Sequence, residues 1–162
     1  MVSTKNIGIL AFITLVLTAC TTIKRETPVQ ETNISAAKLK QSLTEKGFQI
    51  FDYVDEKTKD TVLMQEYFIA FLKKGPNRNQ SKTEADSLQK LHLAHLGRMY
   101  ELGFADISGP FGDDGEIRGI TIYNVPTIKI ADSLANIDPM VKSGRLQIEI
   151  HSWWAAKGFG LR

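Results

Sequence analysis

Two histidines three residues apart, His92 and His95, are the side chains best placed for chemistry in this chain of 162 residues. Turned at about 100° per residue, Glu84, Leu88, His92, His95, Leu96, Met99 and Leu102 fall within one helical stripe, with both imidazoles near its centre and pointing inward. A histidine on an apolar face is either a core residue satisfied by one hydrogen bond or a proton carrier kept from bulk water. The His92-x-x-His95 spacing can also bring two nitrogens to one metal. No HExxH pattern and no obvious third ligand accompany it, so no metal site is assigned. Asp113-Asp114-Gly115 lacks the alternating acids of a calcium loop and reads as a solvated hairpin tip. Lys73, Lys74 and Arg78 precede a helix N-terminus and either hold an anion or are simply solvated.

The single cysteine, Cys20, cannot form an intramolecular disulfide or a thiolate cluster, so its position must explain it. Lys5 supplies a short positive region, residues 7–17 (IGILAFITLVL) form an uncharged run of signal-peptide length, and Leu17-Thr18-Ala19-Cys20 follows at once. A spanning helix needs about 20 apolar residues, and the polar run from Thr21 cuts this one short. The segment resembles a bacterial lipoprotein signal, whose Leu-small-small-Cys pattern is matched at every position; the alternative is a secretory peptide with a stray cysteine near the cut. The resemblance implies removal of residues 1–19, a diacylglycerol thioether on Cys20 and acylation of the new amino group. Two or more chains anchor stably where one is marginal, so a lipid membrane is an expected partner through acylated Cys20. The expected location is the bacterial cell envelope, with the domain outside the cytoplasm. Thr21, which is not Asp, leans toward the outer membrane by an enterobacterial sorting rule.

The elements that would position the histidines follow from hydrophobic period and turn chemistry. Residues 20–35 are polar, contain Pro28 and read as a lipidated, flexible tether. Residues 36–64 are expected to form an extension: a helix over 36–46 ending at Gly47, a strand over 48–54 and a polar turn over 55–60. Residues 64–72 (MQEYFIAFL) read as a strand closed by Lys73-Lys74-Gly75-Pro76. Ser81 with Glu84 fits a capping box, Thr83 being the alternative cap, and Gly103 stops that helix. Strands over 104–108 and 117–125 are joined by a hairpin. Thr127 caps a second helix running until Pro139 forces Asp138 out of helical conformation. Residues 146–152 (LQIEIHS) alternate as a half-buried strand. The order β-α-β-β-α-β predicts an α+β, ferredoxin-like unit with two helices on one face of an antiparallel sheet. Its other face, with Trp153 and Trp154 nearby, is bare unless a second copy covers it, so a homodimer is expected.

Composition agrees with one medium domain. Hydrophobic residues make up 43%, aromatic 9% and charged 23% of the chain, which excludes a mainly disordered protein. A net charge of +2 provides no large single-sign field, so no nucleic-acid partner is expected.

Four segments in order are similar to the YCII-related (YciI-like) domain family. They are the strand Tyr67-Phe68-Ile69-Ala70-Phe71 with its Gly-Pro-Asn turn, His92-Leu93-Ala94-His95-Leu96, Ser108-Gly109-Pro110-Phe111, and Asp138-Pro139-Met140-Val141-Lys142-Ser143-Gly144. The resemblance covers residues 65–154 and leaves 155–162 as a tail. His151-Ser152-Trp153-Trp154 is similar to the His-Pro-Trp ending of one branch, with Ser152 in place of proline. Membership implies a dimeric α+β barrel, in which two ferredoxin-like units pair their sheets. It also implies a catalytic histidine and aspartate, which fall on His92 and Asp138; one branch of the family removes chloride from a chlorinated hydroxyhydroquinone. An ionised Asp138 bonded to one ring nitrogen would fix the tautomer of His92 and make it a general acid or base needing no cofactor. The expected reaction is elimination or isomerisation of a small cyclic or phenolic substrate, with His95, Tyr67 and Tyr123 as candidate donors to an oxyanion and His151 as a further candidate contact. Asp138 equally fits a turn cap bonding the amides of Met140 and Val141. The alternative function is a non-catalytic, lipid-tethered homodimer that binds a small molecule or an envelope partner.

Overall fold

Capping chemistry sets the helix starts in the computed structural model, which describes residues 35–161; the leader, Cys20 and most of the tether expectation fall outside them. Ser35 caps α1 (Ala36–Glu45) through a bond from the Lys38 amide. Ser81, not Thr83, caps α2 (Lys82–Glu101), its hydroxyl accepting from the Glu84 amide at 3.3 Å. Thr127 caps α3 (Ile128–Asn136), accepting from the Ile130 amide. The helix expected to reach Pro139 instead ends at Asn136, and Pro139 opens a separate turn of helix, α4 (Pro139–Lys142), capped by Asp138. Proline suits the first position of a helix because its missing N–H would have no partner there.

Five strands form one antiparallel sheet: β1 (Ile50–Val54), β2 (Thr61–Lys74), β3 (Ala105–Pro110), β4 (Ile117–Tyr123) and β5 (Leu146–Ala156). The long strand β2 lies in the middle. Along one edge it pairs with β5 from Met64↔Ala156 to Lys74↔Leu146. Along the other it pairs with β1 over Thr61–Gln65 and then with β4 over Phe68–Lys73, while β3 lies outside β4. The order β5-β2-β4-β3, with α2 between β2 and β3 and α3 and α4 between β4 and β5, is the ferredoxin-like arrangement. The strand expected over 64–72 therefore begins at Thr61, so residues 61–64 belong to the same strand as the unit's first residues.

Directly paired residues on neighbouring strands share a face. Phe68, Ala70 and Tyr123 face the helices and form the main core with Met99 of α2 and Ala131 and Ala135 of α3. Leu72, Met140 and Leu146 form a smaller cluster at the α4 end. Helix α1 lies on the opposite face: Lys40 ion-pairs with Asp52, whose cross-strand partner is the buried Leu63. The face expected to be bare is thus partly covered by the chain's own first helix. Among the described residues no helix is long and apolar enough to cross a membrane.

Candidate active site

The helical phase of α2 carries His92 inward, as its apolar neighbours require, and its ring meets a carboxylate there. His92 Nδ1–H donates to Asp138 Oδ2 at 2.6 Å, with the two residues 8% and 2% exposed. Asp138 is presented by the junction of α3 and α4. Pro139 keeps the residue before it out of helical conformation, and Asp138 sits at φ −58°, ψ 129°. Its other oxygen, Oδ1, accepts from the Met140 amide at 2.8 Å. One carboxylate therefore caps α4 and holds the imidazole. With Nδ1 bonded, the tautomer is set and Nε2 is the nitrogen left to act on a ligand.

His92 lines a cavity of about 400 Å³ between α2, the helix-facing side of the sheet, α4 and the start of β5. Leu93, Leu96, Met140 and Leu146 make its apolar wall, and Gln89 and Ser108 are polar groups on it. Three cations line it as well: Arg78 from the β2–α2 loop, Arg118 from β4 and Arg145 from the turn before β5. Asp138 is behind His92 and is not itself part of the lining. Such an arrangement can accept a proton: one taken by Nε2 would give an imidazolium directly bonded to a buried carboxylate, which stabilises it.

The other candidate residues lie elsewhere. His95, one turn on, is half-buried with Nε2 sealed and without a hydrogen-bond partner. Burial holds its pKa below the usual histidine value, with Asp138 pulling the other way and His92 and Arg98 adding to the lowering. Tyr123 is in the core beside Phe68; burial, then the Asp138 charge, push its phenol well above the usual range. Tyr67 is across the sheet from His92, under the Lys157 ammonium and near Trp153, its pKa pushed up to about 12 by burial and then by Asp106. His151 is exposed on that same opposite face, bonded to Glu149 at 2.8 Å and set edge-on to Phe71. None of these four lines the cavity beside His92, so the expected oxyanion donors are not brought to it.

Of the basic cluster before α2, Lys73 pairs with Glu149 at 2.9 Å and Lys74 donates to the Asp114 carbonyl, which leaves Arg78 at the cavity. Asp114 pairs with Arg118. Among the described residues no group of three or more His, Cys, Asp or Glu side chains could hold a metal ion. Gln89, Ser108, Arg118 and Arg145 were not singled out from the sequence as site residues. The usable signals were the position of Gln89 one turn before His92, and the placement of Ser108 and Arg145 beside two turn motifs.

No family model matches the chain, and no curated protein matches it. Among solved structures it is similar to a 5-chloro-2-hydroxyhydroquinone dehydrochlorinase from Burkholderia phenoliruptrix AC1100, in complex with 2,5-dihydroxybenzoquinone. The two share 19% identity over 54% of this chain and 92% of that one, with a TM-score of 0.42. A likeness of that extent does not carry an activity from one chain to the other.

Proposed function

We propose that this chain is a lipid-anchored member of the YCII-related family whose domain catalyses proton transfer on a small cyclic or phenolic substrate, with His92 as general acid and base and Asp138 as its orienting partner. The observation that carries this reading is the 2.6 Å bond between Asp138 and His92, with His92 opening on a cavity of small-molecule size. In the proposed step, Nε2 removes a proton from a carbon next to a carbonyl, and the C–H electron pair moves to give an enolate. Return of the proton to another carbon gives an isomer; departure of a leaving group with its electron pair gives elimination. No cofactor is invoked for either outcome. The anchor is acylated Cys20, on the strength of the Leu17-Thr18-Ala19-Cys20 pattern. A homodimer through the sheet face opposite α2 is part of the proposal, supported by Trp153 at 42% exposure on the same face as the half-buried Ile69 and Phe71.

The test is deuterium exchange. The purified full chain is incubated in D2O with a panel of phenols and cyclic ketones, and incorporation at carbon is followed by mass spectrometry. His92→Ala is expected to lower the rate about 100-fold or more. Asp138→Asn, which still caps α4 but presents no carboxylate to Nδ1, is expected to lower it at least about tenfold. Exchange at the unaltered rate in His92→Ala would refute the mechanism and leave the cavity as a binding site.

A further inference from the structure

We infer that the cavity beside His92 is built for a small organic acid, with its carboxylate or phosphate held by Arg78 and Arg145 and its apolar body against Leu93, Leu96 and Met140. This rests on the reading of that cavity as the working site of the His92–Asp138 pair and specifies which molecules it takes.

Three arginines reach one cavity from segments far apart in the chain, and no Asp or Glu side chain is among the residues that line it. Asp138, bonded to the cavity-lining His92, is 2% exposed with its two oxygens occupied by His92 and Met140, so it compensates the imidazole and not the guanidinia. The arginines differ in what holds them. Arg118 is neutralised at the hairpin: its Nη1 donates to Asp114 Oδ1 at 2.9 Å and to the carbonyls of Asp113 and Gly115. Arg78 and Arg145 have neutral partners instead. Arg78 Nη1 donates to the Arg145 carbonyl at 3.2 Å, and Arg145 Nη1 donates to Gln80 Oε1 at 2.9 Å. Each bond uses one nitrogen of a five-donor fork and fixes its direction, leaving other N–H groups for a ligand.

Two guanidinium groups that line one cavity with only neutral partners make it favourable to an anion. A planar carboxylate or a phosphate matches that fork geometry, which a single ammonium would meet only as a point charge. The opposite wall is apolar, so the ligand that satisfies both sides is an acid on a compact hydrocarbon or ring framework. A volume of about 400 Å³ accommodates one such molecule. Arg118 serves to brace the β3–β4 hairpin that closes the cavity.

The experiment uses the detergent-solubilised full chain, with calorimetric titration of benzoate and phenyl phosphate against neutral benzamide. At least one of the two acids is expected to bind tenfold or more tightly than the amide, and the better acid names the head group. Arg78→Met and Arg145→Met are expected to bring that acid to within threefold of the amide; circular dichroism checks that both variants are folded. Equal affinity for acid and amide, failure of both acids to bind by 10 mM (roughly the weak limit of such sites), or acid preference surviving both substitutions overturns the inference. His92→Ala separates this proposal from the catalytic one. Acid preference that persists while exchange is unaffected by His92→Ala removes the mechanism and keeps the subsite. Exchange that depends on His92 without any preference for acids removes the subsite and keeps the mechanism.

Discussion

Asp138 serves two donors with two different oxygens, the Met140 amide on Oδ1 and the His92 ring on Oδ2. A helix cap and a partner for a histidine are thus the same residue, and Pro139 makes the two compatible by fixing the backbone from which the carboxylate projects. His95 is the opposite case, a half-buried ring whose sealed Nε2 has no partner. Burial lowers its pKa in the folded chain, so the unfolded chain takes up the proton first as pH falls through about 6.5. The sign follows: this contribution to stability is present above that pH and is lost below it. His95→Leu removes both the unpaired nitrogen and the titration. It is expected to raise stability at pH 7 by about 1 kcal/mol and to flatten the loss as pH falls below about 6.5, measured by urea unfolding at a series of pH values. A steeper acid loss in the variant would contradict the account. The inward direction of His92 was legible from helical phase alone, and Asp138 from Pro139 together with the family motif. The arginine cluster was not, because residues 78, 118 and 145 meet only through strand register, which local patterns do not encode.

At the scale of elements, the cavity depends on two loops that are pinned to each other. The Gly75 amide donates to the Arg145 carbonyl at 3.0 Å, and the Asn77 amide to the Gly144 carbonyl at 2.9 Å. A Cβ on Gly75 would stand 2.2 Å from the Gly144 carbonyl oxygen, a backbone atom that cannot step aside alone, and Gly144 itself sits at φ +72°. Gly75→Ala is therefore expected to cost about 1–3 kcal/mol by overpacking and to weaken benzoate binding, although residue 75 does not line the cavity. Thermal unfolding and the same titration check it; unchanged values for both would mean that the loops do not position Arg78 and Arg145. The major elements here were readable because apolar period and caps coincide, as at Ser81 and Thr127. The ends of β2 were not, since Thr61, Lys73 and Lys74 are polar and owe their strand conformation to partners on β1, β4 and β5. The four residues of α4 are too few to show a period.

For the whole molecule, the order of elements correctly indicated an α+β fold with an antiparallel sheet, while the fully bare sheet face did not survive, because residues outside the ferredoxin-like unit contribute α1 to it. What remains uncovered includes Trp153. Cys20→Ser expressed in a bacterial host is expected in the soluble fraction, with the unaltered chain in the membrane pellet. In sedimentation the soluble variant is expected to run as a dimer, and adding Trp153→Glu as a monomer. Retention of Cys20→Ser in the pellet would remove the lipid anchor from the proposal, and an unchanged mass with Trp153→Glu would remove this interface. The topology also bears on biogenesis. One edge of the central strand is completed by the last strand of the chain, residues 64–74 waiting for residues 146–156. A nascent polypeptide cannot close that sheet before its C-terminal segment has left the ribosome, and pairing across so long a loop is slow even then. Until that moment one edge of β2 has no partner, so the sheet is among the last parts of the chain to be completed.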